Sequence, residues 1–517
     1  MRQRIFFAAV LLLAMPGSAQ VPTTPGSDAR PGDSRNAAGT QASAAAQRGV
    51  ATKWTQIQTP PLPQFHPQQP KRIELPNGLV IFLQEDHELP LIDGQIRIRG
   101  GGRDLPGSKT GMMSIYGRAW RTGGTESKTG DQLDDMLEAR AAKVETSGGI
   151  DSTFLSWSCL KGDFQDVFAV ALDLLQHPAF REDKIALAKQ QLNGAIARRN
   201  DELDGIASRE ATRLAYGRDN PYARIAEYST VAAVTRDDLL AWHKRTIAPN
   251  NMMIGVVGDF DSAAMEATLR QAFGGFPRGE PMKKPQIPFQ RPKPGVYFIE
   301  KSDVNQAAIR MVDLTNLERN NPDYFAVEVM DEAFFSGGFS ARLMEAIRTK
   351  RGLAYSAGGG FSAPFDHPGS FVVTAGTKST SAVETVQAMR EAIQEDLKKP
   401  ATEDELKRAK DSILNSFIFR FDSKDKILFE QMAYDFYGYP LDFLERYRAG
   451  VENVTAADVT RVAQKYIHPE QLAVLVVGNA QEFDKPLASL GPVTNIDISI
   501  PPPPTAASAQ ARPANPQ

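Results

Sequence analysis

Two stretches of the chain repeat one pattern of apolar and polar positions. Residues 235–249 run from Thr235 through Leu239, Leu240 and Trp242 to Pro249, and Met252 to Gly258 follow as an unbroken apolar run. Residues 455–469 run from Thr455 through Val459, Val462 and Ala463 to Pro469, followed by the apolar run 472–478. Thr, Asp, Ile, Pro, Val-Val and Gly coincide at a constant offset of 220 without a gap. Each copy predicts an amphipathic helix, a proline stop and a buried strand. The pattern also recurs earlier in each copy: Gly78 to Leu83 and Gly295 to Glu300 both open as strands after a turn. A helix ending near His177-Pro178 and restarting at Glu182 has its counterpart ending near Lys399-Pro400 and restarting at Glu403. The chain is therefore internally duplicated. The expected fold class is α+β, with two homologous α/β sandwich halves, each a mainly antiparallel sheet backed by helices, forming a clamshell.

The flanks read differently. Arg2 and Arg4 precede an apolar stretch from Phe6 to Met15, and Pro16, Gly17, Ser18 and Ala19 supply small residues for cleavage before Gln20. Residues 1–19 thus read as a secretory signal peptide, and the expected location is exported, periplasmic or secreted. The stretch is too short to span a bilayer, so no membrane span is expected. Residues 20–71, rich in Ala, Gly, Ser, Thr, Pro and Gln, read as a disordered linker. The body divides into 72–280 and 295–492. Between them lies 281–294, with Pro281, Pro285, Pro288, Pro292 and Pro294, and a Pro/Ala-rich tail covers 493–517. Composition changes the picture little: of 517 residues, 42% are hydrophobic and 23% charged, with a formal net charge of -3. That balance gives no electrostatic reason to expect nucleic acid. Cys159, the single cysteine, rules out an intramolecular disulfide and a cysteine-based zinc site, and its apolar setting reads as an inert core thiol.

Candidate chemistry is sparse. Gly102 to Thr110 approaches a phosphate-binding loop, but Ser108 separates Gly107 from Lys109 and puts the lysine out of register. The six histidines, His66, His87, His177, His243, His367 and His468, lie too far apart for any helical turn to present two to a metal. No Gly-x-Ser-x-Gly elbow appears. The stretch from Phe335 to Ser356 remains. It reads as a Gly337-Gly338 turn, a short helix with Leu343, Met344 and Ile347 inward, a Gly352 cap, and a strand starting near Tyr355. Arg348 and Tyr355 stand near one rim. By residue type alone they read as a solvated arginine and a half-buried tyrosine.

This stretch resembles the C-terminal-half signature of the pitrilysin and mitochondrial processing peptidase family, zinc peptidases with an inverted H-x-x-E-H motif. Gly-Gly-x-Ser-x-Arg-Leu (337–343), Arg-Gly-Leu-Ala-Tyr-Ser (351–356) and the seven-residue spacing from Arg348 to Tyr355 carry the likeness, which extends over about 72–490. The resemblance implies that Arg348 and Tyr355 bind the substrate backbone and steady an oxyanion beside zinc. It also exposes a loss. Pro106-Gly107, Lys109-Thr110-Gly111 and Gly124-Thr125 match the flanks of the family's zinc helix. Ser114 and Arg118 stand in place of the histidine ligands, Gly117 in place of the catalytic glutamate, and Ala195 or Gly194 in place of the third ligand.

Zinc catalysis needs three protein ligands, a water and a nearby carboxylate base. Ser114 is a poor neutral ligand, Arg118 is a permanent cation, and Gly117 supplies no base. This chain is expected to bind no cofactor and not to hydrolyse peptides alone. The resemblance implies a non-catalytic subunit of a heterodimeric zinc metallopeptidase. The partner would be a zinc-bearing homologous subunit acting on peptide substrates, with Arg348 and Tyr355 donated in trans. The alternative is a catalytically inert peptide-binding or scaffold protein of the same fold.

Overall fold

The computed structural model describes residues 68–504, which pack within one compact unit. The signal peptide read at 1–19, nearly all of the linker read at 20–71, and the tail from 505 lie outside the described residues.

Two six-stranded sheets organise the chain. The first contains β1 (Lys71–Glu74), β2 (Val80–Glu85), β3 (Leu91–Arg99), β4 (Lys143–Gly148), β5 (Ser152–Leu160) and β6 (Met252–Gly258) in the order β1-β2-β6-β3-β5-β4. The second contains β7 (Gly295–Glu300), β8 (Gln306–Leu314), β9 (Ala354–Phe361), β10 (Ser370–Lys378), β11 (Ala473–Gly478) and β12 (Val493–Asn495) in the order β12-β7-β11-β8-β10-β9. Five strands of each sheet follow the same path. In each, one internal parallel pair (β2 with β6, β7 with β11) sits in an otherwise antiparallel arrangement. The sixth position is filled from opposite ends of the body, by β1 antiparallel to β2 and by β12 parallel to β7. The tail read from 493 therefore begins inside the fold. Ile496 donates its amide to the Phe298 carbonyl at 2.8 Å, and Ile496 and Ile498 pack on the second sheet.

The repeated Thr and Asp have a local cause. Thr235 and Thr455 cap the helices Arg236–Thr246 and Ala456–Tyr466, and Asp238 and Asp458 reach back to the amides of Thr235 and Thr455 at 2.7 and 3.0 Å. Each reciprocal pair satisfies helix-end donors that would otherwise go unmatched. Pro249 and Pro469 then open short 3-10 turns that lead into β6 and β11.

One face of each sheet is backed by helices of its own half, forming the two large cores. The opposite faces are covered reciprocally. The helix Leu203–Tyr216 lays Ile206, Ala207, Ala211 and Ala215 on Ile299, Ala308, Val312, Leu475 and Val477 of the second sheet. The helix Lys424–Tyr437 lays Leu428, Met432 and Phe436 on Val80, Phe82, Met253 and Val257 of the first. The two helices occupy the same place in their copies, each following a long helix (Glu182–Ala197, Glu403–Phe417) and preceding the Thr-capped one. Gly255 makes the second contact possible: a β-carbon there would stand 2.2 Å from the Met432 sulfur. The sheets thus have apolar residues on both faces, and each half needs the other to bury one of them.

Candidate functional site

The helix Met112–Thr122 carries the positions that the resemblance assigns to zinc. Met112, Met113, Ile115, Tyr116, Ala119 and Trp120 are buried against the core, and this pattern turns Ser114 and Arg118, one turn apart, to solvent. Gly117 faces inward onto β4, where a β-carbon would lie 2.6 Å from the Gly148 amide nitrogen and 2.9 Å from the Ser147 backbone. Thr146 donates its hydroxyl to the Gly117 carbonyl, fastening the helix to the strand. No side chain fits at Gly117.

Across from this helix runs Glu182–Ala197, where the Arg118 guanidinium donates to the Gln191 side-chain oxygen. Gln191 is the residue that the sequence reading missed; its amide gives no periodic signal to find it by. Ala195 and Gly194 are exposed further along the same helix, and the space around Gly194 is open. An arginine, an amide, a hydroxyl and a methyl group do not fit a zinc ion, because none is an anionic or imidazole donor. Among the described residues, no three His, Cys, Asp or Glu side chains are grouped so as to hold a metal.

The other sequence candidates resolve into structural roles. Lys109 donates to Asp238 and to the Ala233 carbonyl, so it is committed and cradles no phosphate. Cys159 is buried beside the Ile92 carbonyl, and burial pushes its thiol up to about 12. His243 lies in the core between the Tyr116 hydroxyl and the Leu175 carbonyl, at 2.8 Å from each, and burial pushes its imidazole down to about 4.

The second half holds a different arrangement. Gly338 (φ +60) turns the chain into a 3-10 turn bearing Phe339. Leu343 and Ile347 are buried, and Glu345–Lys350 forms a π-helical turn bearing Arg348. Such wide turns recur at functional sites. Gly352 (φ +65) ends the turn, and β9 carries Tyr355 at the edge of the second sheet.

The three arginines of this stretch divide the work, Arg351 pairing with Glu391 at 2.7 Å. Arg342 is anchored by both oxygens of Glu405 at 2.8 Å and by the carbonyls of Lys399 and Pro400 at 2.9 Å. Its hydrogen bonds hold the Glu405 carboxyl down to about 2, while burial pushes the neighbouring Asp396 up to about 7. Arg348 is left for another purpose. Its guanidinium lies between two rings, 4.6 Å from the centre of Phe339 and 4.9 Å from that of Tyr355. Those rings are 71% and 83% exposed. The spacing predicted Arg348 and Tyr355 on one rim; Phe339 completes the stack. An aromatic directly after Gly-Gly was the available signal for it.

Compared with known proteins, the chain matches the Peptidase M16 inactive domain over residues 233–413. The non-peptidase homolog YmxG of Helicobacter pylori is 21% identical over 406 residues, covering 78% of this chain and 92% of that one. An uncharacterized zinc protease of Rickettsia bellii is 22% identical over 426 residues, covering 78% and 97%. Among solved structures, the peptidase M16 inactive domain from Pseudomonas fluorescens superposes with a TM-score of 0.72 at 24% identity, covering 81% of this chain and 100% of that one. The periplasmic protease PqqL from Escherichia coli gives 0.68 at 14% identity, covering 82% of this chain and 47% of that one. The fold is that of the M16 peptidases. The match over 233–413 and the relatives agree with the likeness read from the sequence, that of an M16 peptidase homologue of the inactive-domain type.

Proposed function

We propose that this chain is the non-catalytic subunit of a two-chain zinc metallopeptidase, exported to the periplasm or secreted, and that it acts beside a zinc-bearing homologous partner. Its part is to supply Arg348 and Tyr355 to a peptide substrate held in the partner's site. The observation that carries this reading is the Arg348 guanidinium, held between two exposed rings with no carboxylate partner among the described residues. A planar cation kept in place by stacking keeps its N–H edges free for a peptide carbonyl or a developing oxyanion. The signal-type N-terminus supports export. Among the described residues, no helix is long and apolar enough to cross a membrane.

The test is reconstitution with a zinc-bearing homologue from the same organism. Arg348→Ala or Tyr355→Phe is expected to lower kcat about 100-fold or more, the scale of one lost oxyanion donor, without dissociating the complex. Full activity of both mutant complexes would end the reading. The name of the Helicobacter relative, a non-peptidase homolog, favours the second reading, an inert peptide-binding or scaffold protein of this fold. That reading expects peptide binding with no dependence of any proteolysis on this chain.

A further inference from the structure

Apart from Arg348 and Tyr355, a cavity of about 380 Å³ opens where three segments meet: the end of β3, the segment joining the halves, and the C-terminal end of the Lys424–Tyr437 helix. Two arginines on its wall have unused donors. Arg99 makes one hydrogen bond, from Nη2 to the Phe436 carbonyl at 2.8 Å. It lies 4.1 Å from the centre of the Phe436 ring and, among the described residues, has no carboxylate within ion-pair distance. Arg103 commits Nη1 to Tyr222 at 3.0 Å and Asp366 at 2.7 Å. Its Nε is buried without a hydrogen-bond partner, on a side chain only 8% exposed. Leaving such a donor unmatched is costly.

The wall carries as many carboxylates (Asp104, Asp151, Glu318, Asp366) as cations (Arg99, Arg103, Lys283, Lys284), but among the described residues none of the carboxylates pairs with Arg99. The Asp366 carboxylate takes Arg103 and His367 and lies 4.0 Å from the Lys284 ammonium, which donates to the Asp366 backbone carbonyl. Asp151 accepts from Tyr437 and from Ser152 and stands 4.0 Å from Arg103 Nη1, and Asp435 is held by Arg72. Asp104 accepts the Gly101 amide, and burial pushes its carboxyl above the usual range. Glu318 is the remaining acid on the wall, which Lys283 also lines. Arg97, two residues before Arg99 on the same face of β3, also lacks a carboxylate partner among the described residues and stacks on the same Phe436 ring at 4.0 Å. Burial, then repulsion from Arg97, holds Arg99 below the ordinary arginine range.

We propose that this cavity binds a small oxyanion, a carboxylate or a phosphate, on the free edges of Arg99 and Arg103. The planar fork of a guanidinium matches two oxygens of one such group, and a partly enclosed site strengthens the contact. The ligand would touch β3 of the first half, the joining segment at Met282–Lys284 and the Tyr437–Pro440 turn of the second. It would therefore tie the halves together and stabilise the chain by mass action.

The experiment uses the full chain at fixed ionic strength, titrated with sodium phosphate in one arm and sodium succinate in the other. Calorimetry and thermal unfolding are the readouts. Saturable binding of at least one anion below about 10 mM is expected, and the stronger arm identifies the source. Arg99→Gln is expected to weaken binding about tenfold or more, consistent with loss of a charge-assisted pair. Lys283→Gln, at a residue with no hydrogen bond or ion pair among the described residues, is expected to weaken binding less than Arg99→Gln does. Arg348→Ala is expected to bind as the native chain does, which separates this site from the proposed peptide-binding role. If neither anion binds saturably, or if Arg99→Gln binds as well as the native chain, the proposal fails.

Discussion

Gly117 and Gly148 meet backbone to backbone. A β-carbon on Gly117 would stand 2.6 Å from the Gly148 nitrogen, and one on Gly148 would stand 2.4 Å from the Met113 carbonyl oxygen. The helix that carries the positions the resemblance assigns to zinc lies on β4 at Gly117, the position it assigns to the family's glutamate. Gly117→Ala is expected to destabilise the chain by about 1–3 kcal/mol, despite the gain of about 1 kcal/mol in helix propensity. Restoring all three motif positions (Ser114→His, Gly117→Glu, Arg118→His) is expected to give neither stoichiometric zinc nor hydrolysis. Thermal unfolding and metal analysis check both statements.

His243 makes stability depend on acid. Its ring is 7% exposed and its imidazole is pushed from the ordinary 6.5 down to about 4, chiefly by burial. The unfolded chain therefore takes up a proton at a pH where the folded one does not. Stability is full above about pH 6.5 and falls by up to ~3 kcal/mol as pH drops through 4. The difference between the native chain and His243→Gln, followed by denaturant unfolding across this window, should show that slope. Parallel curves would contradict it.

Asp331 works in the opposite sense. Its carboxylate packs against Gly360, accepts the Phe361 amide at 3.2 Å, and is pushed well above the usual range by burial and then by Glu328. The folded chain keeps its proton longer than the unfolded one. The contribution is therefore fullest below the ordinary 3.8 and is lost as pH rises through the folded value. Asp331→Asn is expected to raise the unfolding temperature at pH 7. The gap should close as the solution is made acidic; a lower unfolding temperature at pH 7 would overturn the assignment.

The exchanged helices make unfolding a shared event. Leu428→Ala removes a fully buried contact between the second half and the first sheet, and should cost about 2–5 kcal/mol. Probes placed in both halves should report the same midpoint shift. Residues 72–280 expressed alone would expose Val80, Phe82, Met253 and Val257 and are expected to aggregate. A soluble, cooperatively folded fragment would argue against reciprocal cover.

Much of the local structure was legible before any coordinates. The Thr-x-x-Asp boxes at 235 and 455, the proline stops at 249 and 469, and the Gly352 cap before Tyr355 act through neighbours within a few residues, so sequence spacing reveals them. The spacing of Arg348 and Tyr355 was legible for the same reason. Gln191 was not, because it meets Arg118 across two helices far apart in the chain. Phe339 gained its meaning only once the turn at Gly338 had laid it over Arg348.

By itself, then, the sequence determined a duplicated α+β chain with an Arg348–Tyr355 pair, and the resemblance read an altered metal helix in it. Apolar period, caps and motif spacing are local quantities that survive duplication. Tertiary structure alone decided which sheet each exchanged helix covers. An amphipathic helix announces that it will bury a face, but not against which of two similar sheets. It also decided that Gly117 is filled by strand backbone, and that Arg99 and Arg103 share one cavity. Both depend on distances between segments that no spacing along the chain encodes.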